Sequence, residues 1–441
     1  MSKSVIVRSS NHLLKHANTN KRLEVKEFIQ EYRRVAQLYM DYIWEYGVTL
    51  EYQKKGQGVY LKFDADTHLN CVSQLSTVEL DKSINLVSFL TSRVKKCVIT
   101  QVLGVARGTV EKQKKRQYVA NLCREQKKKV PKKLRKALRK NKPVRPDVTQ
   151  INPELNSVCL DYKKDDRKCF DGWLRVKSFT NKERNYSIKL PIREHRHSKL
   201  LKSNGKIMSS FLLREDSVDI RWEITPKSNT GTQIVGADPG LNTVLSLSDR
   251  QFTPEKDCHG HSLVSIVKKI ARKEKGSKAI KKACDHRKNF INWCGNQLDF
   301  SNIKELRYER NKNVRKYKSS YHSSSLTHWT YTLINSKVES KCELEEVLLV
   351  QESSAYYSQR CSQCGWVQKS NRDGKCFSCK NCDYVDDADF NSSYNHQQEL
   401  YELPYGFWKL KLNILGFFWK KDRVFNDTGE ELAVPLSKNE E

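Results

Sequence analysis

The sequence predicts a multidomain α+β protein. It reads as a basic helical region, a small antiparallel β-barrel, and a mixed α/β domain interrupted by a cysteine cluster. Three observations predict this. From Lys21 to about Arg139 the pattern is mostly helical, with no proline before Pro131. From about Asn156, short apolar/polar alternations are separated by Asp-, Asn- and Gly-containing turns. After Pro226, two strands joined by a turn give way to strands alternating with helices.

The chain has 441 residues, enough for several domains and a sizeable core. It carries 81 Lys and Arg against 51 Asp and Glu, a formal net charge of +30. Solubility alone does not call for so one-sided a surface, and nucleic acid is the usual polyanion that does. No 18-residue apolar run is present, and "MSKSVIVRSSNHLLKHANTN" has neither an h-region nor a cleavage site. The expectation is a cytoplasmic protein that does not engage a membrane. In that compartment, 14 cysteines point to metal binding or free thiols rather than a disulfide scaffold.

The elements follow in order. "SVIVR" (4–8) reads as a short strand. "KRLEVKEFIQEYRRVAQLYMDYIWEYG" places Leu23, Phe28, Val35, Leu38, Tyr39, Tyr42 and Ile43 close to a 3.6-residue period. Positions 111–145 carry sixteen Lys or Arg against two Glu. Such a run is a solvated face, a linker or a phosphate-contacting surface, and the global charge favours the last. The candidate contacts are Lys112, Lys114, Lys115, Arg116, Lys127, Lys128, Lys129, Lys132, Lys133, Arg135, Arg139 and Lys140. Beyond 156, "SVCLDYKKDDRKCFDGWLRVKSF", "NYSIKLPIRE" and "SVDIRWEITP" are strands of the expected barrel. Their Trp173, Tyr186 and Trp222 suit either a core or a nucleic-acid groove. After 226, strands are expected over 234–248, 303–310 and 345–352. Helices are expected around 262–299, near 325–341 and from about 387.

"CSQCGWVQKSNRDGKCFSCKNC" pairs Cys361 with Cys364 and Cys379 with Cys382, each two residues apart. A Cys-x-x-Cys knuckle lets two thiolates reach one ion, and two knuckles complete a tetrahedral Zn²⁺ site. Cys376 is a fifth candidate. The 379/382 pair is preferred because it repeats the knuckle and leaves Phe377 to pack beneath the metal. Four thiolates leave no open position, so the role is structural or nucleic-acid-touching rather than catalytic.

The acids are less explicit. "IVGADPGLNTVLSLSD" breaks a buried-strand pattern with Asp238. Asp-Pro-Gly is good turn chemistry, so Asp238 alone does not decide between turn residue and metal ligand. Glu309 lies near the end of the next strand, "LRYER". Asp389 opens the helix after the cysteines, where acids also suit a helix N-terminus. On a first strand, a later strand and a terminal helix, three acids converge at one edge of an RNase H-like sheet. There they can hold two Mg²⁺ or Mn²⁺ ions about 4 Å apart.

With these residues in place, the sequence resembles the half of TnpB that joins a RuvC nuclease domain to an inserted zinc ribbon. TnpB proteins are transposon-encoded RNA-guided nucleases, and the compact type V CRISPR effectors share this half. The motifs are "GADPG" (236–240), "RYERN" (307–311), "SQRCSQCG" (358–365), "FSCKNC" (377–382) and "DFNSSYN" (389–395). The sequence departs from the family at Ala237, Arg310, Asn311, Tyr357, Ser392 and Ser393. Glu352, in "LLVQESS", is a rival to Glu309 as second acid.

The resemblance implies a helical recognition lobe (21–145), a wedge barrel (146–230, with first strands in 1–20) and a RuvC-like domain (231–356). It implies a zinc ribbon (357–386), a final RuvC-like helix (387–400) and a tail (401–441). It further implies a guide RNA, double-stranded target DNA, and two-metal cleavage at Asp238, Glu309 and Asp389 beside a four-cysteine zinc. Two other functions stay open: an RNA-guided repressor that does not cleave, and a guide-independent RNase H-fold transposase or resolvase. TnpB and CRISPR effector, and monomer and homodimer, are equally open. The tail is too apolar over 405–419 to be free, so that stretch is expected to pack on the protein, an RNA or a second subunit, with a mobile acidic end.

Overall fold

In a computed structural model, the described residues are 5–55, 58–62, 65–75, 77–164, 169–177, 186–309, 325–352, 355–403 and 407–432. Arg310, Asn311 and the acidic end at 433–441 fall outside them. The chain divides into two compact units, Val7–Ile224 and Met1–Ile6 with Thr225–Glu441. Among the described residues no helix is long and apolar enough to cross a membrane.

The first unit rests on two long helices packed together, Thr19–Tyr46 and Ser92–Glu125. Asn18 caps the first by accepting the Lys21 N–H at 2.9 Å. Its buried stripe is Val25, Phe28, Ile29, Tyr32, Val35, Ala36, Tyr39, Met40 and Ile43. Leu23, expected in the stripe, is half exposed. The second helix buries Val94, Val98, Val102, Ala106 and Val110, and its later turns face water. A strand pair, Glu51–Lys55 with Gly58–Lys62, interrupts the expected helical run. Gly56 and Gly58 are the local sequence signal for the break.

The expected barrel is corrected. Among the described residues the strands form two open antiparallel sheets. In one, Ile6–Leu13, Ser217–Ile224, Gly205–Leu213 and Glu154–Asn156 lie in that order. The other runs Leu160–Lys164, Gly172–Lys177, Ser187–Ile192. Closure requires the edge strands of one set to pair with those of the other, and here each sheet keeps its own edges.

The second unit is built on a four-stranded sheet in the order Leu245–Leu247, Gln233–Pro239, Ile303–Glu309, Leu348–Glu352. The first pair is antiparallel and the other two are parallel. The helices Leu263–Ala271, Lys278–Gln297 and Ser325–Leu344 share its core with Val235, Ala237, Leu306 and Tyr308. The terminal helix Ala388–Gln397 packs on Gln233–Pro239. Gly236 permits this approach: a Cβ there would fall 2.0 Å from the Ser393 carbonyl oxygen and 2.4 Å from the Gln397 nitrogen.

The tail packs on the protein. Phe417–Trp419 pairs antiparallel with Trp366–Val367 of the cysteine cluster, Trp366 opposite Phe418. Phe417 and Trp419 are buried with Tyr356, Tyr357, Val367 and Phe407. Ile414 and Leu415 remain exposed.

Candidate active site and metal centre

Parallel pairing puts three carboxylates at one end of the sheet. Ala237 pairs with Tyr308, so Asp238 and Glu309 stand one step further along their strands. Glu309 pairs in turn with Glu352. The two candidates for the second acid are therefore neighbours. Asp387 caps the terminal helix by accepting the N–H groups of Asp389 and Phe390, which sets Asp389 in the first turn. Asp389, Ser392, Ser393 and His396 follow at helical spacings of three, four and seven and share one face.

One ligand atom each from Asp238, Glu309 and His396 lie within 4.8 Å of one another. Asp389 stands outside that group, with its Oδ1 accepting from Arg372 at 3.0 Å. Burial, then the Glu309 and Asp389 charges, push the Asp238 carboxyl well above the ordinary carboxylate range, against Arg372 and the Ser392 hydroxyl. Asp389 is raised too, by burial first, with Arg372 opposing. Crowded, partly buried carboxylates of this kind are what a cation site requires. The oxygen donors fit Mg²⁺ or Mn²⁺, and the imidazole widens the choice.

Sequence reasoning missed His396. It is fully buried, its ring stacks on Tyr357 with centroids 4.0 Å apart, and its Nδ1 lies 3.4 Å from Glu352 Oε2. Its Nε2 is buried with no hydrogen-bond partner. A carboxylate on one ring nitrogen orients the other toward a ligand. The i, i+7 spacing from Asp389 was the available signal, and it is weak without knowledge of the sheet beneath.

The four predicted cysteines come together, and Cys376 does not join them. Cys361 and Cys382 sulfurs are 3.7 Å apart, Cys364 and Cys379 3.6 Å. Tetrahedral Zn–S bonds of about 2.3 Å place sulfurs about 3.75 Å apart, so this set could hold zinc. Two hairpin turns make it. Gly365 (φ +82°) donates to the Cys361 carbonyl at 3.0 Å. Cys379 donates to the Tyr384 carbonyl at 2.9 Å, around Asp383 at φ +55°. Phe377 is fully buried against them. Burial raises the Cys361 and Cys379 thiols, the latter to about 11. At Cys364 burial is outweighed by hydrogen bonds from Trp366 N–H, Asn381 and the neighbouring thiols, which hold it down. Cys376 is exposed, on a strand opposite Asp387.

Arg360 ties the cluster to the terminal helix and the tail. Its guanidinium donates to the Trp419 carbonyl (2.8 Å), Asn395 Oδ1 (2.6 Å) and Gln398 Oε1 (2.8 Å). Burial pulls it down to about 10. The predicted basic residues lie in the other unit. Lys112, Lys115, Lys127, Lys128, Lys129, Lys132, Lys133, Arg135, Arg139 and Lys140 are exposed and Arg116 is half-buried. Lys114 is engaged by Asp66 at 2.5 Å and Glu111 at 3.1 Å.

Residues 331–396 match the family model of the Cas12f1-like TNB domain. A CRISPR-associated endodeoxyribonuclease Cas12f1 from Sulfoacidibacillus thermotolerans is 36% identical over 74 residues, 17% of this chain and 18% of the relative. The Cas12f1 of Syntrophomonas palmitatica is 36% identical over 63 residues, 14% of this chain and 13% of the relative. The matched stretches thus cover less than a fifth of either curated relative. Among solved structures, a Cas12f1–sgRNA–target DNA complex aligns with 86% of this chain and 82% of its own, at 15% identity and TM-score 0.49. CasPhi-2 (Cas12j) with crRNA and phosphorothioate DNA aligns with 89% and 91%, at 9% identity and TM-score 0.46. The segment that holds all four clustered cysteines, Asp389 and His396 is the part of the chain that is similar to the Cas12f1-like TNB domain of the compact type V effectors.

Proposed function

We propose that the protein is an RNA-guided, metal-dependent DNA endonuclease. The observation that carries this reading is the convergence of Asp238, Glu309 and His396 at the end of a parallel strand pair, with Asp389 on the adjoining helix. The match of a 74-residue stretch of the chain to a Cas12f1 endodeoxyribonuclease supports DNA as the substrate. The net charge of +30 and the exposed lysines of the first unit support a guide RNA and target DNA as partners.

In this reading Asp238 and Glu309 hold Mg²⁺ or Mn²⁺, with Asp389 completing the set. Divalent ions there supply a nucleophilic water at neutral pH and neutralise charge on the scissile phosphate. The chain's own groups fix the geometry. Ser392 steadies Asp238, Glu352 orients His396, and Arg372 holds Asp389 until a cation competes for it. Cys361, Cys364, Cys379 and Cys382 bind one zinc, which sets the ribbon beside the carboxylates.

The test combines the chain, its co-purified RNA, complementary double-stranded DNA and Mg²⁺. Wild type cuts. Asp238→Asn, Glu309→Gln and Asp389→Asn bind the target but do not cut. Glu352→Ala keeps cutting at a rate about 10- to 100-fold lower, as expected for loss of an orienting group. Binding without cutting by wild type would instead mark a repressor. Cutting without RNA would mark a guide-independent nuclease. Loss in Glu352→Ala with activity retained in Glu309→Gln would exchange the two glutamates.

A further inference from the structure

A second cluster of metal-ligating side chains lies outside both sites. The segment "DCHGH" (257–261) forms a tight turn with Gly260 at φ +77°. Gly260 N–H donates to the Asp257 carbonyl at 2.9 Å, and Asp257 N–H to the His261 carbonyl at 3.0 Å. One oxygen of the Asp257 carboxylate, Oδ1, accepts the backbone N–H groups of His259 and His261, both at 2.9 Å. The other is thereby fixed in direction. Oδ2 lies 3.3 Å from His261 Nδ1 and 3.9 Å from Nε2 of His286, on the helix Lys278–Gln297. The two imidazoles are nearly perpendicular, with centroids 4.9 Å apart.

We infer that Asp257, His261 and His286 form a binding site for a zinc-like divalent transition metal. Three ligand atoms, one from each residue, lie within 4.8 Å of one another. Zn–N and Zn–O bonds of about 2.0–2.1 Å place tetrahedral ligand atoms about 3.3–3.4 Å apart; the Oδ2 to His261 Nδ1 distance of 3.3 Å meets this and the 3.9 Å to His286 Nε2 needs a small rotamer adjustment. Two imidazoles and one carboxylate suit zinc, cobalt or nickel and disfavour magnesium. His261 is partly exposed, which leaves the fourth position to water.

Such a cation would join a loop to a helix. The loop is anchored at one end by Thr253, whose Oγ1 accepts the Leu245 N–H at 3.1 Å. Its Glu255 pairs with Lys375 of the cysteine-bearing insert. The competing explanation is a hydrogen-bonded triad only, in which both imidazoles donate to Oδ2 and no metal is taken.

The experiment uses the full chain at buffered micromolar free Zn²⁺ and does not depend on nuclease activity. Zinc per chain is measured in wild type and in the His261→Ala/His286→Ala double variant. The double variant should hold one equivalent less. Equal zinc in both overturns the site. Charge transfer from the four thiolates in Co²⁺-loaded samples checks that the double variant keeps its fold. On the wild type itself, Zn²⁺ should slow diethyl pyrocarbonate labelling of His261 and His286 several-fold, and Mg²⁺ should not. Labelling indifferent to Zn²⁺ leaves a hydrogen-bonded triad only and overturns the proposal, whatever the variant does.

Discussion

Cys376 and Cys379 stand three positions apart, yet only Cys379 faces the other thiols. Cys379→Ser should cost one zinc per chain and destabilise the ribbon, because binding and folding of so small a unit are coupled. Cys376→Ser should keep full zinc. Metal analysis and thermal unfolding of both variants decide it, and the reverse pattern would move the ligand to Cys376. The cysteines were legible because each knuckle is local in sequence. Asp238 stood out because an acid interrupts an apolar strand, and its crowding among other acids has its own consequence. Without metal, and at a pH above the raised Asp238 value where its carboxyl is ionised, Asp238→Asn removes one charge from a crowded, partly buried cluster, so it should raise stability there by about 0.5–2 kcal/mol while abolishing cleavage. Chemical denaturation in EDTA reads this, and a less stable variant would contradict the crowding. His396 was illegible for the opposite reason. Its partner Glu352 lies on a strand far earlier in the chain, and only the folded sheet brings the two together.

Elements succeed or fail by their closest approaches. The helix Ala388–Gln397 sits on the strand Gln233–Pro239 at Gly236, where the atoms met by an added Cβ belong to backbone. Gly236→Ala must move the helix that carries Asp389 and His396. The expected cost is about 3 kcal/mol or more, with cleavage lost, as read by urea unfolding and target-cleavage assay. Near wild-type stability would mean the helix rides higher than described. Sequence patterning found the strands around Asp238 and some of those in the first unit, though not Gly205–Leu213, but alternation specifies a strand's two faces and leaves its neighbour open. That is why the sheet around Asp238 was read correctly in outline. Its strands alternate with helices, and connection rules restrict their pairing. In the first unit, antiparallel strands with similar patterns allow several pairings, and two open sheets stand where one barrel was expected. The hairpin at 51–62 escaped because it is brief and flanked by long helices.

At the scale of the whole molecule, charge governs. Lys127, Lys128 and Lys129 are exposed just beyond a 34-residue helix, Ser92–Glu125. Changing all three to Gln should weaken binding to all nucleic-acid sequences alike. If each meets a phosphate, the salt dependence of log K should fall by about 2 to 3. Filter binding across salt concentrations measures it, and an unchanged slope would remove these lysines from the nucleic-acid surface. The insert's edge has a consequence of another kind. Trp366–Val367 waits for Phe417–Trp419, about fifty residues further along the chain. At ribosomal speeds of roughly 5–20 residues per second, the four thiols are synthesised seconds before the strand that covers their flank. A nascent chain that took up zinc at these thiols would do so with that edge bare, and the interval before Phe417–Trp419 emerges is how long an aromatic-rich, unpaired strand is left open to other nascent chains.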